Sequence, residues 1–327
     1  MNRRCFRVAL WIFVLFGLAE RSPAPLIFTP GEGWRYEKAG SEGSWTRTRA
    51  KEQLEVAQKA FDSKDYGIAM KAARRTVKVW PFSDYAPQAQ YLFGRCHEAK
   101  SQDEQAFKAY QKLLERYLKT ENYDEVILRQ MAIANRFLAG QWFRAFVYIP
   151  MFPSMDKTIK LYEKIIKNGP YSEVAPQAQI NIGVANEKKF NSDYPEAARA
   201  YERAADRYND RREGIDALFK AGDTYYKQAK RAEYDQSVAS QSIAAFTDFS
   251  TLYPDDKRGP EVQQKMDALR VEQARGSYEI ARYYERRGKR AAALIYYNEV
   301  LVKDSKSSFA EDARQRIDSI RKLQQRK

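Results

Sequence analysis

Between Ser277 and Val302 the chain reads SYEIARYYERRGKRAAALIYYNEVLV, and its apolar positions recur among charged ones at the period of a helix. Ile280, Ala281 and Tyr284 share one face through i, i+3 and i+4 spacing, and Ala293, Tyr296, Tyr297, Val300 and Leu301 share another. Gly288 stands between the two runs, where one helix must end and the next begin. Two antiparallel helices follow from this pattern. The small side chains of Ala281 and Ala293 let the backbones approach, and the rings of Tyr284 and Tyr297 fill the space beside them.

A small residue then an aromatic on the first helix, and an alanine then an aromatic on the second, resembles the tetratricopeptide repeat, a helix-turn-helix of about 34 residues. Slid back along the chain, the pattern meets Ala57, Ala60, Ala69 and Ala73, closed by Pro81, and then Gly94, His97, Ala106 and Tyr110. The third unit is interrupted. Asp124 to Leu138 reads as its first helix, and the aromatic insert at 140–155, GQWFRAFVYIPMFPSM, carries Pro150 and Pro153 and cannot continue it. A second helix then follows with Thr158, Tyr162, Ile165 and a closing Pro170. The insert is expected to be a loop packed on the array's own core.

Gly183, Ala197, Tyr201 and Ala204 mark a fourth unit, and Gly222, Tyr225, Phe246, Phe249 and Pro254 a stretched fifth. The sixth is the stretch from Ser277, preceded by a long helix from about Pro260. Ser308 to Gln325, with Ala310, Ala313, Ile317 and Ile320 on one side, reads as a capping helix with a polar outer face. The predicted fold is all-α, a superhelical solenoid of about six helix pairs with a C-terminal cap, over residues 46–327.

Ahead of the array, Arg3, Arg4 and Arg7 precede an apolar run from Val8 to Ala19 that is short for a bilayer span. Residues 1–19 are therefore expected to be an export signal, cleaved near Ala19. The two cysteines are Cys5 and Cys96, and neither directly follows the apolar core, so no lipid anchor is expected. Residues 20–45, with Pro23, Pro25 and Pro30, read as an extended linker whose Trp34, Tyr36 and Trp45 are placed to dock on the first repeat.

The formal net charge of +14 invites nucleic acid as a partner. Basic and acidic residues interleave along most helices, as in KAARRTVK, ARAYERAADRYNDRREG and ARYYERRGKR, which suits solvated faces and argues against nucleic acid. His97 is the only histidine and sits at a packing position, Cys96 beside it reads as a small buried hydrophobe, and no phosphate loop, nucleophile elbow or zinc-type cysteine pair is present. No catalytic residue, metal site or cofactor is expected, and the chain is not read as an enzyme. What remains is binding. The first helices of the units line a concave wall, on which the repeat frame puts Lys51, Leu54, Gln58, Phe61, Gln88, Tyr91, Arg95 and Glu98. Rings mixed with hydrogen-bonding side chains suit an extended, partly apolar peptide.

From Tyr234 to Ile317 the agreement is more specific. QSIAAFTDFSTLYPDD, a long charged helix and YEIARYYERRGKRAAALIYYNEVL resemble the BamD family, the repeat-built component of the machinery that assembles β-barrel proteins in the outer membrane of Gram-negative bacteria. The shared positions are Phe246, Phe249, Tyr253, Pro254, Ala281, Tyr283, Tyr284, Arg287 and Gly288. The resemblance implies an exported scaffold at the periplasmic face of the outer membrane. It implies contact with a BamA-like barrel protein largely through the C-terminal half, and a groove for unfolded barrel substrates in the N-terminal repeats. Two other readings compete: a general periplasmic repeat protein in envelope or cell-division coordination, and a basic protein binding anionic lipid or polymer at the membrane periphery.

Overall fold

The computed structural model describes residues 26–29, 33–36, 45–146, 149–231 and 236–325. The expected export signal at 1–19, the side chains of Trp34 and Tyr36, and Tyr234 lie outside the described residues. The chain forms two compact units, Met1–Tyr123 and Asp124–Lys327.

In the first unit α1 (Ala50–Asp62) pairs with α2 (Tyr66–Val79), and α3 (Ala86–Ala99) with α4 (Asp103–Arg116). Helix α1 also touches α3, so the first helices of consecutive pairs stack, as the repeat frame requires. The Asp65 carboxylate accepts from the Ile68 amide at 3.0 Å and caps α2, and a proline occupies the first turn of α3, where its missing N–H costs nothing. The core is largely alanine. Ala57, Ala69, Ala72 and Ala73 have no exposed surface, and they pack with Leu92 and Cys96. Trp45 leans on this cluster, and the buried Gln53 side chain holds the chain entry by donating to the Trp45 carbonyl and accepting from the Arg47 amide.

The second unit begins with α5 (Tyr123–Leu138) and continues through α6 (Met155–Asn168), α7 (Ala175–Glu187), α8 (Tyr194–Arg207), α9 (Arg212–Arg231) and α10 (Gln236–Leu252). Its last elements are the long α11 (Gly259–Arg286), α12 (Arg290–Lys303) and α13 (Ser308–Gln325). First helices again touch, α7 with α9 and α11 with α13. Gly288, between α11 and α12, has a φ of +70°, a conformation that a Cβ would strain. Thirteen helices among the described residues make six pairs and a terminal helix, an all-helical tetratricopeptide-repeat fold.

Two short hairpins depart from the expected picture. β1 (Leu26–Thr29) and β2 (Gly33–Tyr36) pair antiparallel inside the stretch read as an extended linker. β3 (Phe143–Phe146) and β4 (Ile149–Phe152) pair antiparallel inside the aromatic insert, in place of the expected loop. Pro150 is tolerated there because a two-stranded ribbon leaves one edge of each strand unpaired. Phe143 anchors the hairpin's base: it is buried, stacked at 4.0 Å on Phe137 near the end of α5, with the Lys157 ammonium 5.1 Å from its ring centre.

Candidate functional site

In the first unit a cavity of about 420 Å³ opens between α1 and α3. Leu54, Gln58 and Phe61 face it from α1, at the spacing of one helix face, and Gln88, Tyr91 and Arg95 face it from α3. Glu121 and Asn122 also line it. Six of the eight side chains placed on the concave wall by spacing therefore share one cavity. Lys51 is exposed one turn away on α1, and Glu98 is engaged elsewhere, accepting from the Tyr110 hydroxyl at 2.8 Å.

Arg95 organises the cavity. Its guanidinium lies 5.5 Å from the Phe61 ring centre and 5.7 Å from that of Tyr91, and it donates to the Tyr91 hydroxyl at 3.0 Å. A planar cation held between two rings presents aromatic faces on either side. The amides of Gln58, Gln88 and Asn122 can both donate to and accept from an extended main chain.

The repeat-signature residues take a different part of the molecule. Ala57, Ala69, Ala106, Ala197, Ala281 and Ala293 are fully buried, as are Tyr110, Tyr162, Tyr201, Phe246 and Tyr297. A Cβ on Gly94 would collide with the Tyr110 ring, one on Gly183 with Tyr201, and one on Gly222 with Phe246. Each glycine is thus a socket for the aromatic of its partner helix. The ring hydroxyls then find acceptors four residues beyond the small position: Tyr110 donates to Glu98, and Tyr297 to Glu285 at 2.5 Å. Tyr201 breaks this rule. Its hydroxyl is buried with no hydrogen-bond partner among the described residues, because Glu187, at the matching position, accepts from Thr224 at 2.7 Å and lies 3.7 Å from Lys227. Burial, with Glu187 and Asp223 nearby, pushes the Tyr201 hydroxyl pKa up. Tyr225 donates to Glu202 at 2.8 Å, Tyr162 to Asn135 at 2.7 Å, and Tyr284 stacks on Tyr296 at 5.5 Å.

The stretch from Phe246 to Gly288 builds a layered cluster. Phe246 and Phe249 are buried with Val262 and Met266, and Phe219 of α9 packs 5.7 Å from Phe249. Arg258 covers the layer, 4.7 Å from the Phe219 ring and 5.2 Å from that of Phe249, and it is bridged to Asp216 and Asp256, each at 2.8 Å. Hydrogen bonds from Arg258 hold the Asp256 carboxyl down at about 2. Deeper along α9, Asp223 accepts from Lys265 at 2.6 Å and pairs with Lys227 at 2.9 Å. Burial alone would raise the Asp223 pKa, but those two ammonium groups outweigh it and hold it low. Tyr283, by contrast, is half exposed, with the Arg287 guanidinium 5.0 Å from its ring, and marks an open corner beside the Gly288 turn.

One signal escaped the spacing argument. PFSDYAPQAQ at 81–90 recurs as PYSEVAPQAQ at 170–179, and the structures match. The serine hydroxyls of Ser83 and Ser172 both donate back three residues, to Trp80 and Gly169 carbonyls, and Phe82 and Tyr171 both point into solvent. Gln90 donates to the Ala109 carbonyl at 2.9 Å and Gln179 to that of Ala200 at 3.3 Å. The helix trio α2, α3, α4 is therefore built again as α6, α7, α8.

A family model described as an outer membrane lipoprotein, YfiO, matches residues 153–305, and a tetratricopeptide-repeat model matches 88–117. The outer membrane protein assembly factor BamD of Caulobacter vibrioides is 22% identical over 158 residues, 48% of this chain and 51% of that protein. Over this stretch the chain is similar to the BamD-type lipoproteins, on a tetratricopeptide-repeat fold. The match spans about half the length of that curated relative. The matched region runs from the residue after β4 through α12 and so includes the Phe219, Arg258 and Asp223 layers. Among solved structures, a repeat protein of Bacteroides fragilis is 14% identical, with 85% of this chain and all of that chain covered, at a TM-score of 0.41. The C-terminal part of a repeat protein of Cytophaga hutchinsonii is also 14% identical, covering 83% and 89%, at 0.36. Among the described residues no helix is long and apolar enough to cross a membrane.

Proposed function

We propose that this BamD-like chain is an exported, non-enzymatic scaffold in outer-membrane β-barrel protein assembly. The α1–α3 cavity takes an extended, partly apolar segment of a client protein, and the C-terminal half meets a BamA-like barrel protein. The family match over residues 153–305 carries the reading, because it spans the layered cluster of α9–α11 and the Tyr283 corner beyond a shared repeat frame. The cavity supports the client role: Phe61, Tyr91 and Arg95 offer stacking surfaces, and flanking amides offer main-chain hydrogen bonds.

Crosslinked membranes supply the test. A barrel-assembly protein should be recovered with this chain, and its reproducible absence would sink the reading. A photo-crosslinking side chain at Phe61 should trap unfolded barrel clients, with Arg95→Ala reducing the yield severalfold. The export step rests on Arg3, Arg4 and the apolar run from Val8, and N-terminal sequencing should find Met1 and the run removed. An uncleaved cytoplasmic chain would refute it.

A further inference from the structure

On the first unit, away from the α1–α3 cavity, α2 and α4 flank a groove of about 1090 Å³ whose floor is α3. Its two walls are basic. Lys71, Arg74 and Lys78 project from α2 at i, i+3 and i+7, and Lys108, Lys112 and Arg116 from α4 at i, i+4 and i+8, with Lys100 at the end of α3. Each row runs about 10 Å along its helix at a 1.5 Å rise. The carboxylate lining the groove is that of Glu115, which accepts from Gln111. Lys108 pairs with Glu104, whereas among the described residues no ion pair engages Lys71, Arg74, Lys78, Lys100 or Lys112. Between the cation rows lies an apolar strip formed by Met70 and Val77 of α2, Phe93 of α3 and Ala109 of α4.

The duplicated trio provides an internal control. In α6, α7 and α8 the matching groove holds about 440 Å³, with Ile166, Gln179 and Ile182 where the first has Val77, Gln90 and Phe93. There Glu163 replaces Arg74, and Lys189, the counterpart of Lys100, is bridged to Asp156 and Asp193, while Arg199 is bridged to Glu196 just as its counterpart Lys108 is to Glu104. The second groove is less than half as large, and beside Lys167, Arg203 and Arg207 it holds a carboxylate where the first has Arg74. The first is larger, and both of its walls are basic.

We propose that the α2–α4 groove is a second protein-binding surface, whose ligand is an acidic amphipathic segment of a partner. Its apolar edge lies on Met70, Val77 and Phe93, and carboxylates on both flanks meet the two cation rows. A bare phosphate or polyanion would need donors converging on one point or a continuous basic stripe. Here two rows are separated by an apolar strip, which rewards a ligand with charge on both sides of a hydrophobic edge. The site does not overlap the client cavity, so its occupancy is independent of the function proposed above.

The chain carries its own reporter, because its single histidine, His97, lies in this floor. Its Nδ1 is 2.7 Å from Gln102 Oε1, its ring meets Phe93 edge-on, and the surrounding charges are Arg74, Lys100 and the wall lysines. A 16-residue probe peptide with leucines at i, i+3, i+4 and i+7 and flanking glutamates should bind the full chain and shift the His97 imidazole resonances. Affinity should fall about tenfold or more in the R74E/K112E double variant, and stay within about twofold in K167E/R203E, which alters the other groove. Thermal melts establish that each variant is folded. Equal binding of a shuffled peptide with no apolar edge, of polyglutamate, or of phosphatidylglycerol vesicles overturns the proposal, as does unchanged affinity in R74E/K112E.

Discussion

The two groove-bearing trios are the same construction made twice, and they differ where the chain faces outward. Both trios keep the glycine socket and its tyrosine, Gly94 with Tyr110 and Gly183 with Tyr201, and both keep the glutamine that donates across to the second helix. The groove linings diverge. Arg74 becomes Glu163, Phe93 becomes Ile182, and His97 becomes Asn186. Positions that hold helices together are constrained by shape, since a packed ring tolerates no added methyl, whereas lining positions are free to acquire a ligand or to lose one. Architecture and recognition are written at separate positions of one repeat.

The comparison breaks most severely at the sockets. Gly94→Leu and Gly183→Leu each drive a side chain into a tyrosine ring and should each cost about 3 kcal/mol in urea unfolding; a loss below about 0.5 kcal/mol in either would refute the shared socket. The hydroxyls give a smaller effect of opposite sign. Tyr110→Phe removes the hydrogen bond to Glu98 and should cost about 1 kcal/mol, while Tyr201→Phe removes a buried hydroxyl that has no partner among the described residues and should be neutral or stabilising.

Smaller still is a pH effect confined to the first trio. Burial, opposed by the Gln102 hydrogen bond and aided by Lys100 and Arg74, lowers the His97 pKa from 6.5. The unfolded chain then takes the proton first, so this contribution is complete above about 6.5 and is lost as pH falls through the lower folded value. Urea midpoints at pH 7.5 and pH 5 should draw closer together in His97→Asn, which installs the second trio's residue. Cys96 adds a probe that leaves the energetics untouched. Burial raises its thiol to about 11, so at pH 8 it should resist a disulfide reagent in a Cys5→Ser background. Its labelling should accelerate with Gly94→Leu and not with Gly183→Leu.

The helix pairs were legible because small and aromatic residues recur at spacings that only two stacked helices satisfy, and the capping helix from Ser308 to Gln325 was legible by its one-sided alanines and isoleucines. The β3–β4 hairpin was not, since Phe143 to Phe152 has neither helical period nor clean alternation and is punctuated by a proline. Six of the wall residues could be named from the frame alone, because a groove between first helices follows directly from the repeat. The α2–α4 groove was hidden for a physical reason. KAARRTVK lies among stretches where acids and bases interleave, yet it contains no acid itself, and only the fold brings it opposite the lysines of α4. The signal that could have found it is the duplicated decamer at 81–90 and 170–179, which aligns Arg74 with Glu163.

The misplaced partner of Tyr201 bears on how the array comes apart. Tyr110 with Glu98 and Tyr297 with Glu285 close bonds inside one helix pair, so each tightens its own repeat. Glu187 instead reaches Thr224 and Lys227 on the next first helix, and Tyr225 reaches back to Glu202, so both bonds run between repeats. In a linear array, cooperativity is the ratio of coupling between units to stability within them. Shifting bonds from the second to the first fuses α7 through α10 into a single block. Hydrogen exchange should show those four helices opening together, with one shared protection plateau.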